Sequence, residues 1–179
     1  MKGIVFTEFL DMVESTFGYE VVDHIIEQSD LASDGVYTSV GTYHHSEVVQ
    51  LLMNLSEKVN IEPMVLLKEF GKYLFDTFLK QYPQFFTSHD NSFDFLMSID
   101  NHIHVEVQKL YPEATLPKFD SEILLSGEMI MIYQSERKMA ALAEGLMEKA
   151  FAHYGEMCEV KKDVLKEDGS EVKFTITKQ

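Results

Sequence analysis

Glu122-Ile123-Leu124-Leu125-Ser126-Gly127-Glu128-Met129-Ile130-Met131-Ile132-Tyr133-Gln134-Ser135-Glu136-Arg137 is the stretch on which the fold turns. Before it, apolar residues recur at helical spacing; here the period becomes that of strands. Glu122–Leu125 and Glu128–Gln134 read as two strands around a Ser126-Gly127 turn. Ser135 is placed to cap a helix over Glu136–Tyr154. Two more strands, about Met157–Leu165 and Glu171–Thr177, flank Asp168-Gly169, a strong hairpin signal.

Working back toward the N-terminus, Ile4, Val5, Phe9, Met12, Val13 and Phe17 define a helix over 3–17 that Gly18 stops. A short helix over Tyr19–Gln28 follows, and the polar segment 30–43 reads as a loop. Ser46 fits as the cap of a helix through Val59, and Pro63 opens another that runs to about Gln81. Ser92 begins a single helix that Tyr111-Pro112 closes. Helices followed by helix, hairpin, helix and hairpin make an α+β chain: a helical N-terminal lobe and a C-terminal lobe with a four-stranded antiparallel sheet. One domain over 1–179 is expected, with lobes of about 1–82 and 83–179.

Composition narrows the function classes. Apolar residues are 45 % of the 179, including 13 Phe, 8 Tyr and 10 Met, which excludes disorder. A net charge of −15 argues against nucleic acid and against an anionic membrane surface. It suits solubility, or a basic patch on a protein partner. The lone Cys158 precludes an internal disulfide. The charged N-terminus lacks a signal-peptide pattern, and no stretch reaches the ~18 apolar residues of a membrane span. A cytoplasmic, monomeric protein is expected.

Two histidines compete on the helix that starts at Ser92. Positions two apart lie about 200° apart around a helix, so His102 and His104 face opposite ways. His102 keeps polar company, whereas His104 lies within a turn of Ile103, Val107, Asp100 and Gln108. His104 is therefore the inward nitrogen, as a packed core residue or as a ligand. Downstream, Tyr133, Ser135 and Arg137 offer two hydroxyls and a planar fork, donors matched to carboxylates. Taken singly they are equally a strand aromatic, a helix cap and a solvated charge.

Together, His104, the Tyr133-x-Ser135-x-Arg137 motif and the Met1-Lys2-Gly3 start resemble the H-NOX family, over essentially the whole chain. These are haem-based nitric oxide and oxygen binding domains related to the soluble guanylate cyclase sensor domain. The resemblance implies haem b between the two lobes, with His104 as axial ligand. It implies propionates held by Tyr133, Ser135 and Arg137, and Pro117 packed beneath the porphyrin. The oxygen-binding branch of the family carries a tyrosine on the helix after the motif. Leu142 stands there in this chain, with Phe9 and Leu74 at the supporting positions and Val5, Phe78 and Leu146 completing an apolar wall. Tyr73 is turned about 100° from Leu74, away from that wall. Such a wall implies binding of NO and CO with exclusion of O₂, no enzymatic role, and signalling by release of His104. The expected partner is a separate histidine kinase or diguanylate cyclase/phosphodiesterase.

The remaining constellations are bland. Tyr43-His44-His45 lies in a polar loop, Glu20 and Asp23 are solvated charges, and Cys158 reads as a small buried residue. The several cysteines of the zinc site found in some H-NOX relatives are missing. The alternative is a haem-free regulatory domain of similar build whose pocket holds a small apolar molecule. A haem peroxidase or dioxygenase ranks behind it, because the expected wall has no polar group to work on oxygen.

Overall fold

Gly3–Phe17 forms helix α1, and Gly18 ends it at φ +88°, a conformation glycine adopts without a Cβ clash. The computed structural model describes residues 1–179. Helix α2 spans Tyr19–Glu27, α3 His45–Val59 and α4 Pro63–Gln81, all as their apolar spacing predicts. The cap of α3 is His44 rather than Ser46. His44 Nδ1 accepts from the Ser46 N–H, a role a neutral imidazole shares with the usual hydroxyl caps. Segment 30–43 is a loop whose end returns to the N-terminus through a bridge between Lys2 and Thr42. A short helix α5, Gln84–Thr87, fills the region after Pro83 where no element was expected.

The expected single helix from Ser92 is three pieces. Helix α6 covers Ser92–Ser98, capped by Asn91, which accepts from the Asp94 N–H. A π-turn covers Ile99–Ile103, and α7 covers His104–Leu110. The His104 N–H donates to Ile99 O, five residues back, so one extra residue is accommodated just before the histidine. No residue of α7 is buried.

Strand β1 is Lys118–Ile123, β2 Met129–Gln134, β3 Cys158–Val164 and β4 Glu171–Lys178. They form one antiparallel sheet in the order β1-β2-β4-β3. Strand β1 starts four residues earlier than expected, at Lys118, and ends at Ile123, while β2 lies within one residue of its expected bounds; the loop is closed by Leu124 N–H donating to Glu128 O. Helix α8 is Ala140–His153, not Glu136–Tyr154. Lys138 adopts φ +58°, which breaks the helix there, so Ser135 caps nothing; its Oγ accepts from the Arg137 N–H in a local turn.

Helices α4 and α8 cross at Gly71 and Gly145. A Cβ on Gly145 would collide with Lys68 O and sit 3.1 Å from Gly71 Cα. Only glycine permits this approach. It aligns Leu74 and Phe78 of α4 with Leu142 and Leu146 of α8. Two apolar cores result, one among α1–α4 and one between the sheet and α6 and α8; Phe78 and Leu146 pack on both. The cavity lies between them.

Candidate functional site

A cavity of about 320 Å³ opens between the cores, and 25 of its 34 lining residues are hydrophobic. That size falls in the roughly 300–1,000 Å³ range of small-molecule pockets. His104 lines it from the start of α7, with its side chain 17 % exposed. Its Nδ1 lies 3.2 Å from Asp100 Oδ1, four residues back across the π-turn. Asp100 Oδ1 also accepts from the Phe119 N–H at 3.3 Å, which ties the turn to β1. The carboxylate fixes the Nδ1–H tautomer, so Nε2 carries a lone pair and has no protein partner. Burial pulls the imidazole below its ordinary pKa, against the hydrogen bond and charge of Asp100, which push it up. A neutral imidazole is the form that ligates metal. His102 is exposed, its ring edge on Phe85, and does not line the cavity.

Tyr133, Ser135 and Arg137 all line the cavity at the end of β2 and the turn after it. Tyr133 is buried; its hydroxyl accepts from the Met139 N–H at 3.0 Å, leaving its proton to give. Ser135 Oγ accepts from Arg137 N–H and likewise keeps its proton. Arg137 is the only arginine in the chain. It is half-buried, donates to Thr115 O, and forms no ion pair with any of the 30 acidic residues. Burial lowers its pKa, with no neighbouring carboxylate to offset the effect. A desolvated fork without an anion beside two unspent hydroxyls is a carboxylate-binding set. Helix α8 begins only at Ala140, beyond Arg137, so the donors are side chains, not a helix terminus.

Pro117 lines the cavity from the loop between α7 and β1. Val5, Leu74, Phe78, Leu142 and Leu146 line it from α1, α4 and α8. Phe9 does not: it is fully buried in the first core, edge-on to Phe70 at 5.2 Å. Tyr73 is also off the lining and packs on that core. Several lining residues escaped sequence reasoning. Tyr82 and Tyr111 close α4 and α7, and burial followed by the neighbouring Tyr111 hydroxyl raises the Tyr82 pKa. Lys2, Glu113 and Thr115 stand at the rim. Their positions follow from loop packing, which leaves no periodic trace in sequence.

A free imidazole nitrogen, two hydroxyls and a guanidinium around an apolar cavity fit a flat, mostly apolar molecule that carries a metal and carboxylates. Comparison with known proteins points the same way. Residues 2–162 match the family model described as Haem-NO-binding. The unliganded Fe(II) H-NOX protein from K. algicida is 47 % identical, with a TM-score of 0.96 over 100 % of this chain and 97 % of that one. The H-NOX protein of S. oneidensis in its Fe(II)NO state is 28 % identical, with a TM-score of 0.92 over 100 % and 99 %. The H-NOX of Shewanella woodyi, in its Fe(II)CO state with IWP-051 bound, is 39 % identical, with a TM-score of 0.84 over 100 % and 95 %. No curated protein matches the chain.

Proposed function

Because the chain belongs to the haem-NO-binding, or H-NOX, family of haem-based gas sensors, we propose that it binds NO and CO, excludes O₂ and reports to a separate partner. Haem b, when bound, would supply a ferrous iron able to take both a protein nitrogen and a diatomic gas. In this reading His104 Nε2 is the protein nitrogen. The observation that carries it is the Asp100 hydrogen bond to Nδ1, which leaves that one lone pair unpartnered on the cavity wall.

Arg137, Tyr133 and Ser135 hold the two propionates, and Pro117 packs against the porphyrin. Residues of about 1–82 form the gas-side lobe and about 83–179 the histidine-side lobe, with α8 shared between them. On the gas side, Val5, Leu74, Phe78, Leu142 and Leu146 present only hydrocarbon. Retaining O₂ calls for a hydrogen-bond donor within reach, which none of these side chains offers; NO and CO need no such help.

The signal in this reading is withdrawal of His104. A seven-residue helix without a buried residue, reached through a π-turn, has little packing to hold it, so the imidazole and α7 can move together. The family relationship supports a histidine kinase or a diguanylate cyclase/phosphodiesterase as receiver, and the net charge of −15 supports a basic docking face on it. No helix is long and apolar enough to cross a membrane; we place the protein in the cytoplasm, as a monomer.

The test is optical. Reduced protein shows a Soret band that shifts with NO and with CO and is unchanged by brief exposure to air. His104→Gly loses haem unless imidazole is supplied. Protein left colourless after reconstitution with hemin refutes the cofactor assignment, and a persistent oxy spectrum refutes the exclusion of O₂.

A further inference from the structure

Helix α7 carries His104 at its first position, yet burial does not hold it in place. Its restraints are ties at its two ends. At the N-terminal end, Asp100 joins the His104 ring to the Phe119 N–H. At the C-terminal end the tie is Lys2. Its Nζ stands 4.5 Å from the ring centroid of Tyr111, the residue that closes α7, and 2.9 Å from Glu113 Oε1. The same ammonium donates to Val40 O at 2.8 Å and Thr42 Oγ1 at 3.2 Å.

Lys2 is a firm post. Its backbone bridges Thr42, the Met1 ammonium donates to Tyr43 O at 2.7 Å, and the next amides bond to Gly41 O and Ser39 O. Its side chain is 12 % exposed, although it carries a charge. The only other polar side chain from residues 1–82 that meets residues 104–117 is Tyr82, whose hydroxyl neighbours that of Tyr111; Lys2 is the only charged one. One half-buried lysine therefore gathers a carbonyl and a hydroxyl, Val40 O and Thr42 Oγ1, from one lobe and two partners, Tyr111 and Glu113, from just past the histidine helix. An ordinary surface lysine is mobile and hydrated instead.

We infer that Lys2 is a positioning residue for His104: by gripping Tyr111 and Glu113 it holds the far end of α7 against the N-terminal segment and limits how far the histidine withdraws. The inference rests on the reading of His104 as the axial donor. An α-helix of seven residues is a rod of about 10 Å, so restraint at Tyr111 is delivered to the imidazole. Loss of the grip leaves the Asp100 tie at one end and, at the other, the Tyr82 hydroxyl at Tyr111 and the Arg137 bond to Thr115 O in the loop beyond, so α7 pivots more freely on the π-turn.

The experiment compares the ferrous haem-loaded protein with Lys2→Met and Lys2→Arg. Amide hydrogen exchange over 104–117 and the iron–histidine stretching band are the two readouts. Lys2→Met is expected to speed exchange over 104–117 on the order of fivefold, while α3 stays unchanged, and to lower the iron–histidine frequency. Lys2→Arg, which keeps both the ion pair and the cation–π contact, restores both. Unchanged exchange in Lys2→Met overturns the tie. Faster exchange with an unmoved band overturns the positioning role and leaves a structural strap. Absence of the band from the unsubstituted protein refutes the axial role of His104 instead, a result independent of any change at Lys2.

Discussion

Arg137 is the chain's one arginine, and it is spent on no carboxylate of the protein. Its single hydrogen bond, to Thr115 O, is a weak reason to desolvate a guanidinium. Arg137→Ala is therefore expected to leave the fold intact, moving stability by less than about 1 kcal/mol, while haem escapes to an acceptor globin roughly tenfold faster. Arg137→Lys keeps the charge but loses the fork and falls between the two. Unaltered haem transfer in Arg137→Ala would remove this residue from the site. The residue types and spacing of Tyr133, Ser135 and Arg137 were legible in sequence because β2 alternates and the turn after it is short. Asp100 was legible only as a neighbour of His104. That it fixes the tautomer depends on the π-turn and on β1, neither of which the residue itself announces.

The π-turn is the element that sequence patterning conceals most completely. Ile99 and Ile103 satisfy an i, i+4 spacing, so the stretch reads as uninterrupted α-helix, and one extra residue in five leaves no periodic scar. Helix α8 was misplaced for a related reason. Glu136-Arg137-Lys138 are good helix formers, and only the positive φ of Lys138 excludes them. By contrast α1 to α4, β2 and β4 were readable, because each buries one face with the period of its own geometry, and β3 was readable from the Asp168-Gly169 hairpin signal that pairs it with β4. Strand β1 was expected at Glu122–Leu125 rather than Lys118–Ile123, because with Phe119 its one buried residue it carries no alternation to mark its start. Removing one residue from the π-turn tests its purpose. Deletion of the exposed Asn101 should let the turn close into α-helix and rotate His104 by about 100° relative to α6. Helix content by circular dichroism is expected to hold, while the axial histidine signature disappears. Retention of that signature would mean that the bulge has no part in aiming the imidazole.

Across the whole molecule, the two cores are clamped by charges as well as by the Gly71–Gly145 crossing. Glu144 of α8 accepts from Lys68 of α4 and Lys162 of β3, each at 2.8 Å. Burial alone would raise its pKa, but the Lys162 and Lys68 hydrogen bonds and charges more than offset this and hold it below the ordinary 4.5. The unfolded chain then takes up the proton first as pH falls. The stabilisation is fully present above pH 4.5 and is lost as pH drops through the lower folded value. Glu144→Gln is expected to cost about 1–2 kcal/mol at neutral pH and to show a shallower loss of stability in urea titrations between neutral and acid pH. An acid limb parallel to that of the unsubstituted protein would show that the clamp lies elsewhere. The same α4–α8 packing presents Leu142 to the cavity, and there the choice of gas is open to test. Leu142→Tyr adds a phenol donor to a wall of hydrocarbon without touching His104 or Arg137. The larger ring is expected to cost about 1–3 kcal/mol in overpacking, so the variant is studied well below its melting temperature. Ferrous Leu142→Tyr exposed to air is expected to give a lasting oxy spectrum, with NO and CO still bound. If it stays deoxy or merely oxidises, a single donor on α8 does not suffice to retain O₂, and the apolar wall is not the basis of the proposed selectivity.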